Sequence, residues 1–255
     1  MASGKKRQEK SAAGRTRASG HRKPPAKKRI ATRSRKNDPS AADADARRDR
    51  IIDVAIQLAE DGGFENVRQR DVARLSGVAL GTLYKSFRSK EDILAAALHR
   101  ETDQLERRLD RKPAKGADAP ERLGALFATL TRSILKKPNY ARALLKAMTS
   151  GEEVATKVVA HQVAITRMVI AAQRGCAPSS LVEQEPPSMD ELNVAMFLQN
   201  LWFAGLVGWS AKLHGQQRVV DQVTEAATLI LAGLEYQRSQ AGKSQRKKKT
   251  SRRQR

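Results

Sequence analysis

Residues 69–87, reading Gln-Arg-Asp-Val-Ala-Arg-Leu-Ser-Gly-Val-Ala-Leu-Gly-Thr-Leu-Tyr-Lys-Ser-Phe, constrain the fold more than any other stretch of the chain. Two short helical patterns meet at Gly77. Val72, Ala73 and Ser76 share one face, and Leu83 and Phe87, four residues apart, share another. Ala73 is small enough to admit a crossing helix. Gly77 can take the positive φ that a tight turn between helices requires, with Val78 beneath that turn. The outer side of the second helix keeps Leu80, Gly81, Thr82, Tyr84 and Lys85. That face is short, sterically open and weakly basic, which suits a major groove. An αα-hairpin inside an ordinary helical core is the competing reading.

The flanks extend the pattern. Upstream, a helix over 47–61 is expected from the stripe Ile51, Ile52, Ala55, Leu58 and Ala59, and Gly62-Gly63 should end it. Phe64 and Val67 then turn back into the same core. Downstream, Ser89 reads as an N-cap with Glu91 and Asp92 in the first turn, followed by Ile93, Leu94, Ala97 and Leu98 on one face. Gly63-Phe64-Glu65, Arg70-Asp71-Val72-Ala73, Gly77-Val78, Gly81-Thr82-Leu83-Tyr84, Phe87 and Ser89-Lys90 together resemble the N-terminal domain of the tetracycline-repressor (TetR) family. The resemblance spans roughly 47–105. It implies an all-α protein, a three-helix helix-turn-helix domain followed by a helical bundle for ligand binding and dimerisation, acting as a ligand-responsive transcription regulator.

Carried over position by position, the resemblance implies that Leu80, Gly81, Thr82 and Lys85 face the groove of double-stranded DNA. It implies that the Tyr84 hydroxyl and Lys90 meet phosphates. One departure matters. Family members often place Thr or Ser just before the second helix, whereas this chain has Val67-Arg68-Gln69-Arg70. Arg68 can meet a phosphate but cannot cap a helix, and Gln69 becomes a candidate for base-edge or phosphate contact. Arg68 and Arg70 read equally well as solvated basic surface.

Charge separates along the chain. Residues 1–40 hold 14 Lys/Arg against 2 acids, and residues 237–255 hold 9 against none, so the middle, 41–236, carries only +1 of the net +22. Both ends are nearly free of large apolar residues. They are expected to be disordered, over 1–43 and 238–255, because they cannot bury enough surface to offset chain entropy. Such polycations bind nucleic acid through counterion release without reading sequence. The same runs also read as solubilising charge or as localisation signals.

Length suits one DNA-binding module, 44–108, plus one larger domain, 119–237. The single Cys176 excludes an intramolecular disulfide. The N-terminus is basic without an apolar run, and the longest unbroken apolar stretch, 201–209, has nine residues, short of the roughly 18 a membrane span needs. A soluble, cytoplasmic, nucleoid-associated protein without membrane contact is expected.

Beyond residue 105 only helices are expected. Residues 110–118 break the chain, and Pro120 opens a helix to about 135. Pro138 opens a shorter helix closed by Gly151, and a long helix covers 152–175. Residues 176–187 form a loop. Ser188-Met189-Asp190-Glu191 is a capping box for a helix over 188–213, and a last helix covers 219–237. Both final helices carry apolar residues on more than one stripe, so each must be covered on more than one side. Leu206, Trp209, Val223, Ala227, Ile230 and Leu234 are therefore expected at a homodimer interface. A two-fold dimer would set two recognition helices about 34 Å apart on a palindromic operator.

For a small-molecule effector, Phe127, Met148, His161, Met168, Phe197, Gln199, Asn200 and Trp202 are candidates to line an apolar pocket, although each also reads as plain core. Val67-x-x-Arg70, Gly81-Thr82-Leu83-Tyr84 and the helix from Leu201-Trp202 to Trp209 further resemble regulators of steroid (cholesterol-type) catabolism within the family. That implies a lipidic or acyl-CoA effector. No catalytic residue, metal or cofactor is expected. His99, His161 and His214 lack metal-ligand spacing, and no Ser/His/Asp or Cys/His constellation is present. Two other function classes stay open: a DNA-architectural protein acting through its tails, and an interaction protein built on a helix-turn-helix-like bundle.

Overall fold

The computed structural model describes residues 41–149 and 155–253, and among them it is built of α-helices with one short 3₁₀ helix and no strand. The basic N-terminal segment as far as residue 40 and the expected helix stop at Gly151 lie outside the described residues.

The first helix, α1, covers Ala41–Asn66. It begins six residues before the expected start at 47, because Ala-rich sequence propagates a helix without needing a core partner. At Gly62 and Gly63 it breaks. Gly63 sits at φ 70°, the left-handed conformation in which a side chain is strained, so the chain turns there as its glycines suggest. Helices α2 (Gln69–Leu75) and α3 (Leu80–Ser86) follow, joined across Gly77 at φ 70°. The Val78 N–H donates to the Ala73 carbonyl at 3.0 Å, tying the turn. Val67, Val72, Ala73, Leu83 and Phe87 are buried beneath it with Ile51, Ile52 and Ala55.

Helix α4 (Lys90–Arg111) starts at Ser89, whose hydroxyl accepts from the Asp92 N–H at 3.1 Å. It links the two halves of the fold: its first turns close the core over α1, and the rest packs on α6 and α7. Asp118 and Ser188 cap α5 (Ala119–Leu135) and α8 (Met189–Ser210), the latter through the full reciprocal box with Glu191. Between them lie α6 (Pro138–Met148), α7 (Ala155–Arg174) and the 3₁₀ helix Pro178–Glu183, which occupies the expected loop. A bidentate Arg174–Glu191 pair, at 2.6 and 2.9 Å, fastens the end of α7 to the start of α8. It holds the Glu191 carboxyl down at about 2.

Two boundaries correct the sequence reading. Helix α8 stops at Ser210 rather than 213, where Lys212 turns left-handed at φ 61°. The last helix, α9, covers Gln216–Arg253, so the stretch 238–253 is helical where disorder is expected from its composition. Residues 238–241 and 243 are exposed, so burial does not sustain the helix at those positions. Lys, Arg, Gln and Ala, all good helix formers, make up 11 of the 16 residues of 238–253, against one Gly and four Ser or Thr. Arg238 pairs with Asp190 at 2.8 Å where the helix leaves the body beside the start of α8.

Among the described residues, α8 is the one helix long and apolar enough to cross a membrane by length and composition. One of its stripes, Val194, Ala195, Leu198, Trp202 and Leu206, is buried in the chain's own core against α7 and α9. Its apolar excess lies in a second, uncovered stripe.

Candidate nucleic-acid interface and internal cavity

The α2–α3 pair presents the expected outer face, with exceptions. Arg68, Arg70, Gly81, Tyr84 and Lys85 are exposed, and Leu80 and Thr82 are partly so. Tyr84 is 49 % accessible despite its ring, because its neighbours Leu83 and Phe87 are the ones turned inward. Arg68 stands at the N-cap of α2 and makes no side-chain cap, as its chemistry dictates. Two candidates are held elsewhere. The Gln69 amide donates to the Arg88 carbonyl at 3.3 Å, bracing the loop after α3. The Lys90 ammonium lies 3.8 Å from the centre of the Phe64 ring and donates to the Phe64 carbonyl and to Glu65 at 3.3 and 3.2 Å. Lys90 is thereby an internal tie rather than a projecting cation.

That tie continues into the second half of the molecule. Glu65 also accepts from Lys146 of α6 at 2.6 Å, and these two ammonium groups hold its carboxyl below the usual carboxylate range. The Glu60 carboxylate takes the Tyr140 N–H at 3.0 Å, and the Glu60 carbonyl takes the Asn139 amide at 2.9 Å. Asp92, which caps the Arg88 N–H at 3.0 Å, is paired with Lys157 of α7. The face that α3 presents is thus connected to α6 and α7 through Glu65 and Asp92. Neither link could be read from spacing, since each joins residues more than 60 apart in sequence.

Those same two helices wall an apolar cavity of about 260 Å³. Of the pocket candidates, Met148, His161, Gln199, Asn200 and Trp202 line it, together with Ile134, Leu145, Val158, Ile165 and Phe203, which were not among them, and Leu206, which the sequence placed at the dimer interface. Three candidates do not line it. Phe127 and Met168 are packed inside the core, Phe127 with its ring tilted at 57° against Trp202 at 5.9 Å. Phe197 points outward from α8, half exposed, because it lies one residue from the inward Leu198 on a helix with 100° per residue. The cavity is also sparsely polar. Trp202 Nε1 is satisfied by Thr131 Oγ1 at 2.9 Å, and His161 Nδ1 lies 2.8 Å from Thr102 Oγ1. Burial, with a smaller effect of His99, pushes the His161 imidazole down to about 4.

The expected dimer residues need a similar correction. Leu206, Val223 and Ala227 are buried within the single chain, and Ile230 and Leu234 are partly covered by it. Trp209 carries the Arg142 guanidinium 4.7 Å above its ring. The large apolar residues left uncovered are Met189, Leu192, Met196, Phe197 and Val207 on α8, and Leu229 and Tyr236 on α9. Two stripes were visible in each helix; only packing decides which one the chain uses for itself.

Residues 51–97 match the family described as bacterial regulatory proteins, tetR family. Over 191 residues the chain is 28 % identical to the HTH-type transcriptional repressor KstR of Mycolicibacterium smegmatis, covering 75 % of this chain and 89 % of that protein. A TetR transcriptional regulator from Rhodococcus sp. RHA1 shares the fold with a TM-score of 0.64 at 22 % identity, over 74 % of this chain and 97 % of the other. The regulator FadR from Bacillus subtilis, solved in complex with stearoyl-CoA, shares it with a TM-score of 0.54 at 18 % identity, over 70 % and 96 %.

Proposed function

This chain belongs to the tetR family of bacterial regulatory proteins, and from that premise we propose a repressor that binds a palindromic operator as a dimer and leaves it when a lipidic, acyl-CoA-like effector binds. It is a ligand-responsive DNA-binding repressor, not an enzyme, and it works on DNA in the cytoplasm. The family match lies over the helix-turn-helix and not over the basic ends, so binding through the tails alone is not the favoured reading. Gly81, Thr82 and Lys85 read base edges from α3, with Leu80 at its rim. Tyr84, Arg68 and Arg70 hold phosphates. The uncovered stripes of α8 and α9 pair across the two-fold axis.

The observation that carries the effector reading is the position of the cavity. Its lining residues Leu145 and Val158 are direct neighbours of Lys146 and Lys157, the residues that reach Glu65 and Asp92. A volume of about 260 Å³ is below the roughly 300–1,000 Å³ of sites that enclose sizeable ligands, so a long apolar molecule must spread its walls. Spreading α6 from α7 shifts the supports of α3, and a ligand that prefers the spread form weakens DNA binding in proportion to that preference. The names of the relatives agree with this chemistry: the Bacillus subtilis FadR structure holds stearoyl-CoA. A genome-wide footprint followed by titration of the protein–operator complex with acyl-CoAs, sterol-derived acids and small polar metabolites tests it. Release by the polar metabolites alone would sink the lipid reading.

A further inference from the structure

A second, larger cavity lies beside the first and has the opposite character. It measures about 560 Å³ and opens between α4, the end of α5 and the start of α6. Gln104, Arg107, Arg108 and Arg111 recur at helical spacing along α4, and Lys136 and Lys137 face them from the α5–α6 turn. Five cations thus share one concave wall with a single acid, Glu101. Among the described residues none of the five forms an ion pair, although residues 41–236 taken together carry a net charge of only +1. The floor adds an independent sign. Tyr140 is 1 % exposed and lines this cavity, and its hydroxyl faces the Glu101 carboxyl without closing a hydrogen bond of normal geometry. A buried hydroxyl left unpaired costs stability unless a ligand satisfies it. Burial also raises the neighbouring Glu101 carboxyl toward its neutral form, reducing its repulsion of an anion.

This cationic cavity adjoins the apolar one. A gap of about 30 Å³ lies between them, sharing Glu101 and Ser133 with the first and His161, Ile165 and Trp202 with the second. Ile134 borders all three. An amphipathic ligand that widened this gap beside Ile134 would place its charged part outside and its apolar part inside.

We infer that the groove of Arg107, Arg108, Arg111, Lys136 and Lys137 is the head-group subsite for a lipid whose head carries several phosphates, and whose apolar portion passes Ile134 into the apolar cavity. Guanidinium forks bind phosphate oxygens in pairs, and a head with several phosphates matches a wall of several unpaired cations. The Tyr140 hydroxyl donates to the head from below. The inference rests on the lipid-effector reading for its tail but not for its head.

The test is equilibrium binding by the full chain of palmitoyl-CoA, free CoA and palmitate, in wild type, in Arg107→Gln/Arg111→Gln/Lys136→Gln and in Tyr140→Phe. Palmitoyl-CoA should bind more tightly than either fragment, because joining two ligands converts the second contact into an intramolecular one. The triple variant should weaken palmitoyl-CoA and free CoA alike by about tenfold or more and leave palmitate unchanged. Tyr140→Phe should weaken the same two probes. Unliganded operator binding should be the same in all three proteins. Unaltered palmitoyl-CoA affinity in the triple variant overturns the subsite, and so does a loss of unliganded operator affinity, which would make the groove a DNA contact. Groove-dependent binding of free CoA with no binding of palmitate, and no gain from the acyl chain, keeps the head subsite and overturns the lipid reading. Failure of all three probes to bind overturns both.

Discussion

His161 gives the sharpest quantitative expectation. Its ring is buried between α4 and α7, hydrogen-bonded to Thr102, and held neutral with its protonation pushed down to about 4. In the unfolded chain it titrates near the ordinary imidazole value of 6.5. The fold therefore excludes a proton that the unfolded chain accepts, so the stability His161 permits is complete above about pH 6.5. It falls as pH drops toward about 4. A difference of some 2.5 pKa units limits the loss to about 3 kcal/mol, and lowering pH from 7 to 5 should realise about 2 kcal/mol of it. Urea unfolding of wild type and of His161→Gln at pH 7 and pH 5 isolates this contribution, because every other titrating group is common to both. Gln can still hydrogen-bond to Thr102 but has no proton to take up. Wild type should lose about 2 kcal/mol more than the variant between the two pH values. Parallel losses in the two proteins would mean that the imidazole is not shielded from water as its packing indicates.

Three further outcomes follow from the geometry. Tyr84→Phe should weaken binding to all DNA sequences by about 1 kcal/mol, whereas Thr82→Ala should change the ranking of operator variants, and electrophoretic competition would show the reverse if the docking orientation is wrong. Phe197→Glu or Leu229→Glu, on the uncovered stripes, should give folded monomers in sedimentation, while Leu206→Glu should lose helicity because it places a charge in the protomer's own core. A Phe197→Glu protein that remains dimeric would move the interface off α8. Gly77→Ala should destabilise by about 1–2 kcal/mol through its φ of 70° alone, since an added Cβ meets nothing within 4 Å; an unchanged thermal midpoint would contradict that account.

The proposed coupling between the cavity and α3 would give the charged links a role beyond stability. Glu65 is exposed and its pairs add little to folding. Their geometry matters more, because Lys90 and Lys146 approach one carboxylate from two parts of the molecule. Movement of α6 must stretch that bridge or carry Glu65 with it.

The helix-turn-helix was legible from sequence because its determinants are local. Gly77 is needed where φ is positive, Leu83 and Phe87 recur one turn apart, and what they do not bury must face outward. Helix starts at Ser89 and Ser188 were legible for the same reason, since a cap and its partner lie three residues apart. The end of α9 was not, because composition reports that a segment lacks a core and says nothing of a helix that needs none. Tertiary structure alone decided the rest. Lys90 and Gln69 stand at outward positions, yet their ends reach Glu65 and Arg88, partners that no periodicity could indicate. Phe197 and Leu198 are adjacent and equally apolar, and only the packing of α7 and α9 against α8 sends one into the core and leaves the other exposed. Arg107, Arg111 and Lys136 look like ordinary surface charge until the α5–α6 turn is set against α4. Sequence determines which residues must be covered or solvated, whereas the identity of what covers them is a long-range property, set when distant helices close on one core.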